Sequence, residues 1–351
     1  MNDIIESMKR AYVREGWLWG AILFRMGNPF GWADYEHNPE QTFLSGTSAF
    51  LRFICLFHGE FTTPDSIRSK DFDRIRTVTE DMIKKSCEHF LPVAVSEDAA
   101  FEKAIRDHAL VRAQDFGFLQ RFCTDLEQGM NHLDIGPGLG SHAIHSLDGF
   151  GSNYYAIEAV PNTYSVQRLF FRFLCQNHGS RYLDLVDCEN FGISMARMQE
   201  EINGSNGYGV RHIPSWYFGL VRNNSIDLVT ATWTLNEITA SALLWILSNS
   251  SRVLKEGGYL YIRDSAKLHP TCHSISYDDL LTQIGFVEME RLQVENRVNF
   301  FGVPRLYQKK TTRHYSFNNL VDLAFGKFAE KAHGEMHLPS QSQDQWPSAT
   351  V

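Results

Sequence analysis

The chain has 351 residues, 43% of them hydrophobic, with 33 Lys and Arg against 41 Asp and Glu and a formal net charge of −8. That length buries a sizeable core in one large domain with additions or in two modest ones, and the acidic balance gives no footprint for a phosphate backbone, which sets nucleic acid aside as a partner. Six cysteines, at positions 55, 87, 123, 175, 188 and 272, show no CxxC spacing, which argues against a thiolate zinc site or a disulfide scaffold and fits a reducing, cytoplasmic compartment.

The first segment, MNDIIESMKR, carries acids where a signal peptide is basic. WLWGAILF (17–24) is too short to span a bilayer and reads as a buried helix face, so no membrane partner is expected. Residues 1–128 read as a helical N-terminal region, with IIESMKRAYVREGWLWGAILF, RIRTVTEDMIKKSCEHFL and EDAAFEKAIRDHALVRAQDFGFLQRFCTDLEQ carrying apolar residues three and four apart. It is a cap over the next domain or a homodimer contact. Its aromatic-rich stretch GNPFGWADYEHNPEQTFLSG (27–46) is a lid over an acceptor, or a loop anchored by buried Phe and Trp.

From residue 131 the pattern becomes short strands alternating with helices. HLDI (132–135) is a strand, SHAIHSLDG begins a helix, NYYAIEAV (153–160) is a second strand, and TYSVQRLFFRFLCQNHG is a helix closed by glycine. VRHIPSW (210–216), SIDLVTATWTL (225–235) and YLYIRDSAK (259–267) are the third to fifth strands, with the helix ASALLWILSNSSRVLKEGG before the last of these. ISYDDLLTQIGF is a helix, and FVEMERLQV with FGVPRLYQKK makes a closing pair of strands. Such alternation predicts an α/β fold, a parallel sheet covered on both faces. ENFGISMARMQEEINGSNG reads as an inserted helix plus loop. The C-terminal part, 311–351, reads as an amphipathic helix around NNLVDLAFGKFAEKAHG and a disordered tail.

The chemistry begins at LDIGPGLGS. Gly136, Gly138 and Gly140 sit where a chain leaving a parallel strand turns into a helix, and missing side chains let backbone approach a ligand. Glycines also occur in purely structural turns. Glu158 closes the second strand, 24 residues after Asp134, where a carboxylate accepts hydrogen bonds from both ribose hydroxyls, unless it is simply a solvated acid at a strand end. The loop lacks the GxGxxG spacing of a pyrophosphate grip and the Lys-Ser/Thr ending of a phosphate-binding loop, so a ligand with a ribose but no phosphates suits it better.

These segments, with SIDLVTATWTLNEI, SRVLKEGGYLYIRD and the pair IGFVEMERLQV and FFGVPRLYQKK, resemble the class I S-adenosylmethionine-dependent methyltransferases over about residues 128–310. The resemblance implies a Rossmann-like, seven-stranded, mostly parallel sheet with a reversed last strand and a cofactor-binding domain over 129–310. It implies S-adenosyl-L-methionine as cofactor, with Asp134, Gly136, Gly138, Gly140, Glu158 and Thr232 around it. The acid often found after the third strand falls near Pro214-Ser215-Trp216 here. Ser215 is then a hydrogen-bonding partner for adenine and Trp216 stacks on it, or Trp216 fills the core.

The acceptor belongs over the carboxyl ends of the fourth and fifth strands, where the side chains are Thr234, Asn236, Glu237, Asp264, Lys267 and His269. Asn236 and Glu237 put an amide and a carboxylate beside the cofactor, Glu237 as base, or they decorate the next helix, with Thr239 at its start. Asp264 and His269 are further candidates for a base; with Glu237 they offer ligands for a divalent metal, although they come from separate loops, and no metal is assigned. His142 and His145 read as helix-surface residues or supports behind the loop. IEAVPNTYSVQRLFF and LNEI are similar to segments of sugar O-methyltransferases of polysaccharide and natural-product pathways, which implies a sugar or other small-molecule hydroxyl as acceptor. An N- or C-methyltransferase of a peptide or secondary metabolite, and a non-catalytic methyltransferase-like scaffold, are the alternatives.

Overall fold

The computed structural model describes residues 63, 65–90, 99–126, 129–159, 161–204, 207–235, 238, 240–264, 276–292 and 302–325. In chain order these give α1 (Phe72–Phe90), α2 (Ala99–Phe122), β1 (Asn131–Ile135), α3 (His142–Ile144) running into a π-helical turn at His145–Gly149, β2 (Asn153–Glu158), α4 (Pro161–His178) and β3 (Arg181–Asp184). They continue with α5 (Leu185–Asn190), α6 (Met195–Asn203), β4 (Tyr208–Pro214), a 3-10 segment at Ser215–Leu220, β5 (Ile226–Thr232), α7 (Ala240–Val253), β6 (Leu254–Asp264), α8 (Tyr277–Gln283), β7 (Phe286–Arg291) and β8 (Val303–Lys309). Residues 317–325 are helical. The early helix expected at IIESMKRAYVREGWLWGAILF and the lid expected over 27–46 lie outside the described residues.

One mixed sheet runs through the molecule in the order β3-β4-β2-β1-β5-β6-β8-β7. The strands from β3 to β6 pair in parallel, and β8 pairs antiparallel with both β6 and β7. This is the order of a class I methyltransferase-like sheet, reversed hairpin included, with one strand added at the edge.

Period-two alternation sends successive side chains to opposite faces. Leu133, Ile135, Tyr155, Ile157, Val229, Ala231, Leu260 and Ile262 face the core built with α6, α7 and α8. On the other face Tyr154, Ala156 and Val210 meet α4 through Val166, Phe170, Phe171 and Leu174, and α1 and α2 through Met82, Ile83, Phe101 and Ile105. Farther along, Phe118 and Leu119 of α2 pack on Leu228, Tyr259, Tyr261 and Leu306. The two helices from the N-terminal third are thus part of the sheet's own cover.

Three expectations need correction. The sheet has eight strands rather than seven, because RYLD after Gly179 pairs with β4 as an edge strand. The third predicted strand ends at Pro214, which has a fixed φ and no N–H to donate, and Ser215 and Trp216 open the 3-10 segment. Leu254 to Gly258, expected as the end of a helix, already belong to β6; Gly257 adopts φ +81° and the β5–β6 register shifts between Ile226 and Leu228, so the glycines make a bulge inside the strand. Among the described residues no helix is long and apolar enough to cross a membrane.

Candidate functional site

Parallel register decides which strand ends meet. Ile135 of β1 stands beside Ile157 of β2 and Ala231 of β5, Glu158 beside Pro214, and Thr232 beside Arg263. Gly136, Glu158, Ser215, Thr232 and Asp264 therefore leave the sheet along one edge. They do so where β1 has β2 on one side and β5 on the other, the switch point at which open α/β sheets bind ligands.

The loop after β1 uses its glycines in two ways. Gly136 (φ +60°) donates its N–H to Ile157 O at 2.9 Å, and a Cβ there would lie 2.5 Å from Thr234 Oγ1. Gly140 (φ +88°) has the ring of Phe171 against it, 2.3 Å from where a Cβ would stand. Gly138 (φ +61°) has no atom of the described residues, its chain neighbours aside, within 4 Å of that position. Two glycines are there because protein packs on them; the third faces open space among the described residues, as a backbone that receives a ligand must.

Glu158 is buried at the end of β2 and its Oε1 accepts from Ala159 N at 2.8 Å. Ser215 is buried at the start of the 3-10 segment, and Trp216 packs half-buried against the hydrophobic core. Thr232 Oγ1 accepts from Arg112 Nη1 at 3.3 Å. Asp264 is buried at the end of β6, its backbone so close to Gly302 that a Cβ there would lie 2.5 Å from Asp264 O. Asn236, Glu237, Thr239, Lys267 and His269 lie outside the described residues. Among the described residues no three His, Cys, Asp or Glu side chains stand together as a metal site.

Trp233 escaped the sequence reading. It adopts φ +64°, rare for a bulky residue, and donates its N–H to Arg263 O at 2.9 Å, while Thr234 Oγ1 donates to Ile135 O at 3.1 Å. The positive φ turns the chain sharply as it leaves β5.

Asp134, expected against the cofactor, is fully buried on the α2 side of the sheet. Its Oδ1 accepts from Thr230 Oγ1 at 2.7 Å and its Oδ2 from Tyr154 OH at 2.6 Å, with His142 Nδ1 2.9 Å from Oδ2. Thr230 spends its proton on Asp134 and so accepts from His132 Nε2 at 2.7 Å. Burial pushes the His132 pKa down to about 3, which keeps that ring neutral. Of the two readings of His142 and His145, helix surface or support behind the loop, the second holds: both are buried, His142 between Asp134 of β1 and Asp115 of α2.

Through His142 the network reaches α2. His142 Nε2 lies 3.1 Å from Asp115 Oδ2 and 2.9 Å from Arg112 Nη1. Asp115 also accepts from Arg112 Nη1 at 3.1 Å, Arg263 Nη1 at 2.7 Å and Tyr261 OH at 2.5 Å. Burial alone would raise the Asp115 pKa, but the Arg263 charge, the His142 bond and Arg112 outweigh it and hold the carboxyl well below its usual range. Burial likewise opposes ionisation of Asp134, and His142 reverses it. For His142, burial pushes the pKa down while Asp134 and Asp115 bring it above its ordinary value. A second tie joins α2 to the loop, His108 Nε2 at 2.7 Å from Ser141 Oγ. Sequence offered no signal for these partners, since Asp115 and Arg263 are 148 positions apart.

No family model matches the chain, and no curated protein matches it. Several solved methyltransferase structures are similar at a distance. The candidate sarcosine dimethylglycine methyltransferase of Galdieria sulphuraria is 12% identical over 66% of this chain and 98% of its own, with a TM-score of 0.40. Phosphoethanolamine N-methyltransferase 1 of Haemonchus contortus is 14% identical over 76% of this chain and 56% of its own, at 0.38. The CurJ carbon methyltransferase is 12% identical over 78% and 71%, at 0.36. At such values the fold assignment rests on the strand order itself.

Two stability measurements check this geometry. Asp115→Asn leaves Arg263 and Arg112 buried without their counter-charge, and urea unfolding at neutral pH should show a loss of about 3–5 kcal/mol. Because the folded Asp115 pKa is depressed, its stabilisation is present above the unfolded carboxylate pKa and lost as pH falls, so the gap to wild type should narrow below about pH 4. In the loop, Gly138→Ala should cost only the left-handed strain of about 1–2 kcal/mol. Gly140→Ala adds a clash with Phe171 and should cost about 1–3 kcal/mol more.

Proposed function

We propose that this protein is an S-adenosylmethionine-dependent methyltransferase of a small molecule, with a hydroxyl of a sugar or natural product as acceptor. The observation that carries the reading is the open face of Gly138 at the switch point of the sheet, on the same edge as Glu158. Backbone there is free to be approached, and a carboxylate follows the next strand.

In this reading the backbone from Gly136 to Gly140 holds the methionine part of the cofactor, and Glu158 accepts hydrogen bonds from the ribose hydroxyls. Ser215 and Trp216 flank the adenine, and Thr232 forms part of the floor. Asp134 acts from beneath as a positioning residue, because it is fully buried within β1 on the α2 side of the sheet, bonded to Thr230, Tyr154 and His142, whereas Glu158 stands at the strand end. When bound, the cofactor would supply a methyl group activated by its positively charged sulfur. Asn236, Glu237, Asp264 and His269 serve the acceptor side, with Glu237 as the base that takes the hydroxyl proton as the new bond forms.

Calorimetric titration with S-adenosylmethionine and S-adenosylhomocysteine tests the reading. Wild type should bind both, and Glu158→Ala, which removes the hydrogen bonds from the ribose hydroxyls to a charged group, should weaken binding at least about tenfold. Gly138→Ala should lose affinity while keeping most of its thermal stability, since its methyl group meets ligand rather than protein. Glu237→Gln should keep cofactor affinity and lose turnover by about 10²- to 10⁴-fold. A folded wild type that binds neither compound would end the proposal.

A further inference from the structure

A second buried polar chain runs beneath the loop, on the side of β2 and β4, and its centre is Gln167. This side chain, in the second turn of α4, is wholly buried. Its Nε2 donates to Gly138 O and to Glu158 Oε2, each at 2.7 Å. Both partners are acceptors only, so the amide has one orientation, with Oε1 turned to His212 Nε2 at 2.9 Å. His212 must donate there. Burial holds its pKa well below the ordinary value, so the ring is neutral, and its Nδ1 accepts from Tyr182 OH at 2.9 Å.

The far end of the chain is fixed as well. Tyr164 stacks on His212 with ring centroids 3.5 Å apart and planes 10° apart, and its hydroxyl donates to Asp184 Oδ1 at 2.8 Å. Five elements are tied together: the glycine loop, the end of β2, α4, β4 and β3. Phe171, one turn farther along α4, fills the space beside Gly140. A Gln at this point is unlike a Glu or a Met in one respect: it gives a proton to a carboxylate and to a carbonyl at once while receiving one from an imidazole.

We propose that Gln167 is a positioning residue for ribose recognition: it fixes the orientation of the Glu158 carboxylate and locks it to the Gly138 backbone, so that the two halves of the cofactor site present one preset geometry. This rests on the methyltransferase reading above. It assigns Gln167 no contact with the cofactor. Its effect on ligand passes through Glu158, and that separates it from a merely structural role.

The test is calorimetric titration of the full chain with S-adenosylhomocysteine and with its 2′,3′-dideoxyribosyl analogue, using wild type, Gln167→Glu and Gln167→Met, with melting temperatures to confirm folding. Wild type should prefer the ribosyl ligand by at least about tenfold, with little change between about pH 6 and 8. Gln167→Glu sets a second carboxylate against Glu158, and the pair must share a proton to coexist. Its affinity for the ribosyl ligand should drop at least about tenfold, drop further as pH rises, and lose its advantage over the dideoxy analogue. Gln167→Met should show the same loss of preference without the pH dependence. Variants that retain the preference, or that weaken both ligands equally, would overturn the role of Gln167 and leave the cofactor reading standing. A folded wild type that binds neither ligand would remove both.

Discussion

The carboxylate of Asp115 is the point on which the site's foundation rests. It lies on the sheet-facing side of α2, fully buried, and is surrounded by Arg112, Arg263, Tyr261 and His142. An isolated charge in such a place is prohibitively costly, and even a paired one is tolerated only when its remaining lone pairs are filled. Here they are filled by groups from three separate elements. Removing α2 would leave Arg263 at the end of β6 without the Asp115 counter-charge and His142 behind the glycine loop with one of its two carboxylates, so the sheet and this helix depend on each other.

The rest of the site inherits its order from that arrangement. His142 hands the interaction to Asp134, and Asp134 holds Thr230 of β5 and Tyr154 of β2 on either side of β1. The ring of Tyr154 meets Phe171 edge-on at 5.9 Å, and Phe171 closes against Gly140. Polar ties thus support the loop from beneath while an aromatic contact presses on its far end. Of the three loop glycines Gly138 has open space before it among the described residues. A loop held at both ends, with its central carbonyl tied to Gln167, loses little further freedom on binding, which is the physical meaning of preorganisation.

The sequence made the local parts of this plain and the distant parts invisible. Alternating apolar strands, glycine-closed helices and the spacing from Asp134 to Glu158 all express themselves within a few dozen residues, whereas the reversed strand at the sheet's end was implied by the family resemblance alone. RYLD is too short to stand out from its surroundings, and it becomes a strand only because β4 offers it an edge. Gly257 and Gly258 look like a helix stop, yet a bulge absorbs Gly257 within β6 because the pairing with β5 extends back to Leu254. His142 read as a helix-surface residue or as a support behind the loop, and its partners Asp134 and Asp115, 8 and 27 positions away, decide for the second. Asp134 stood in a cofactor motif, but strand alternation points it at α2, where His142 and Tyr154 claim it. Gln167 sat in a helical segment with no mark to separate it from any exposed amide.

The same foundation also sets how the chain enters the acceptor side. Thr232 is held by Arg112, itself paired with Asp115, and Thr234 is held by the carbonyl of Ile135. Between them Trp233 adopts a left-handed backbone that costs about 1–3 kcal/mol and persists only where its surroundings over-determine it. Its N–H to Arg263 O supplies one further restraint. The direction in which the chain departs toward Asn236 and Glu237 is therefore fixed by contacts on the sheet, none of which involves an acceptor. Arg112 and Arg263 both meet Asp115, so the ends of β5 and β6 are set by one carboxylate, and the segments that follow them start from a common, rigid origin. The frame from which both strands end thus belongs to a helix from the N-terminal third of the sequence.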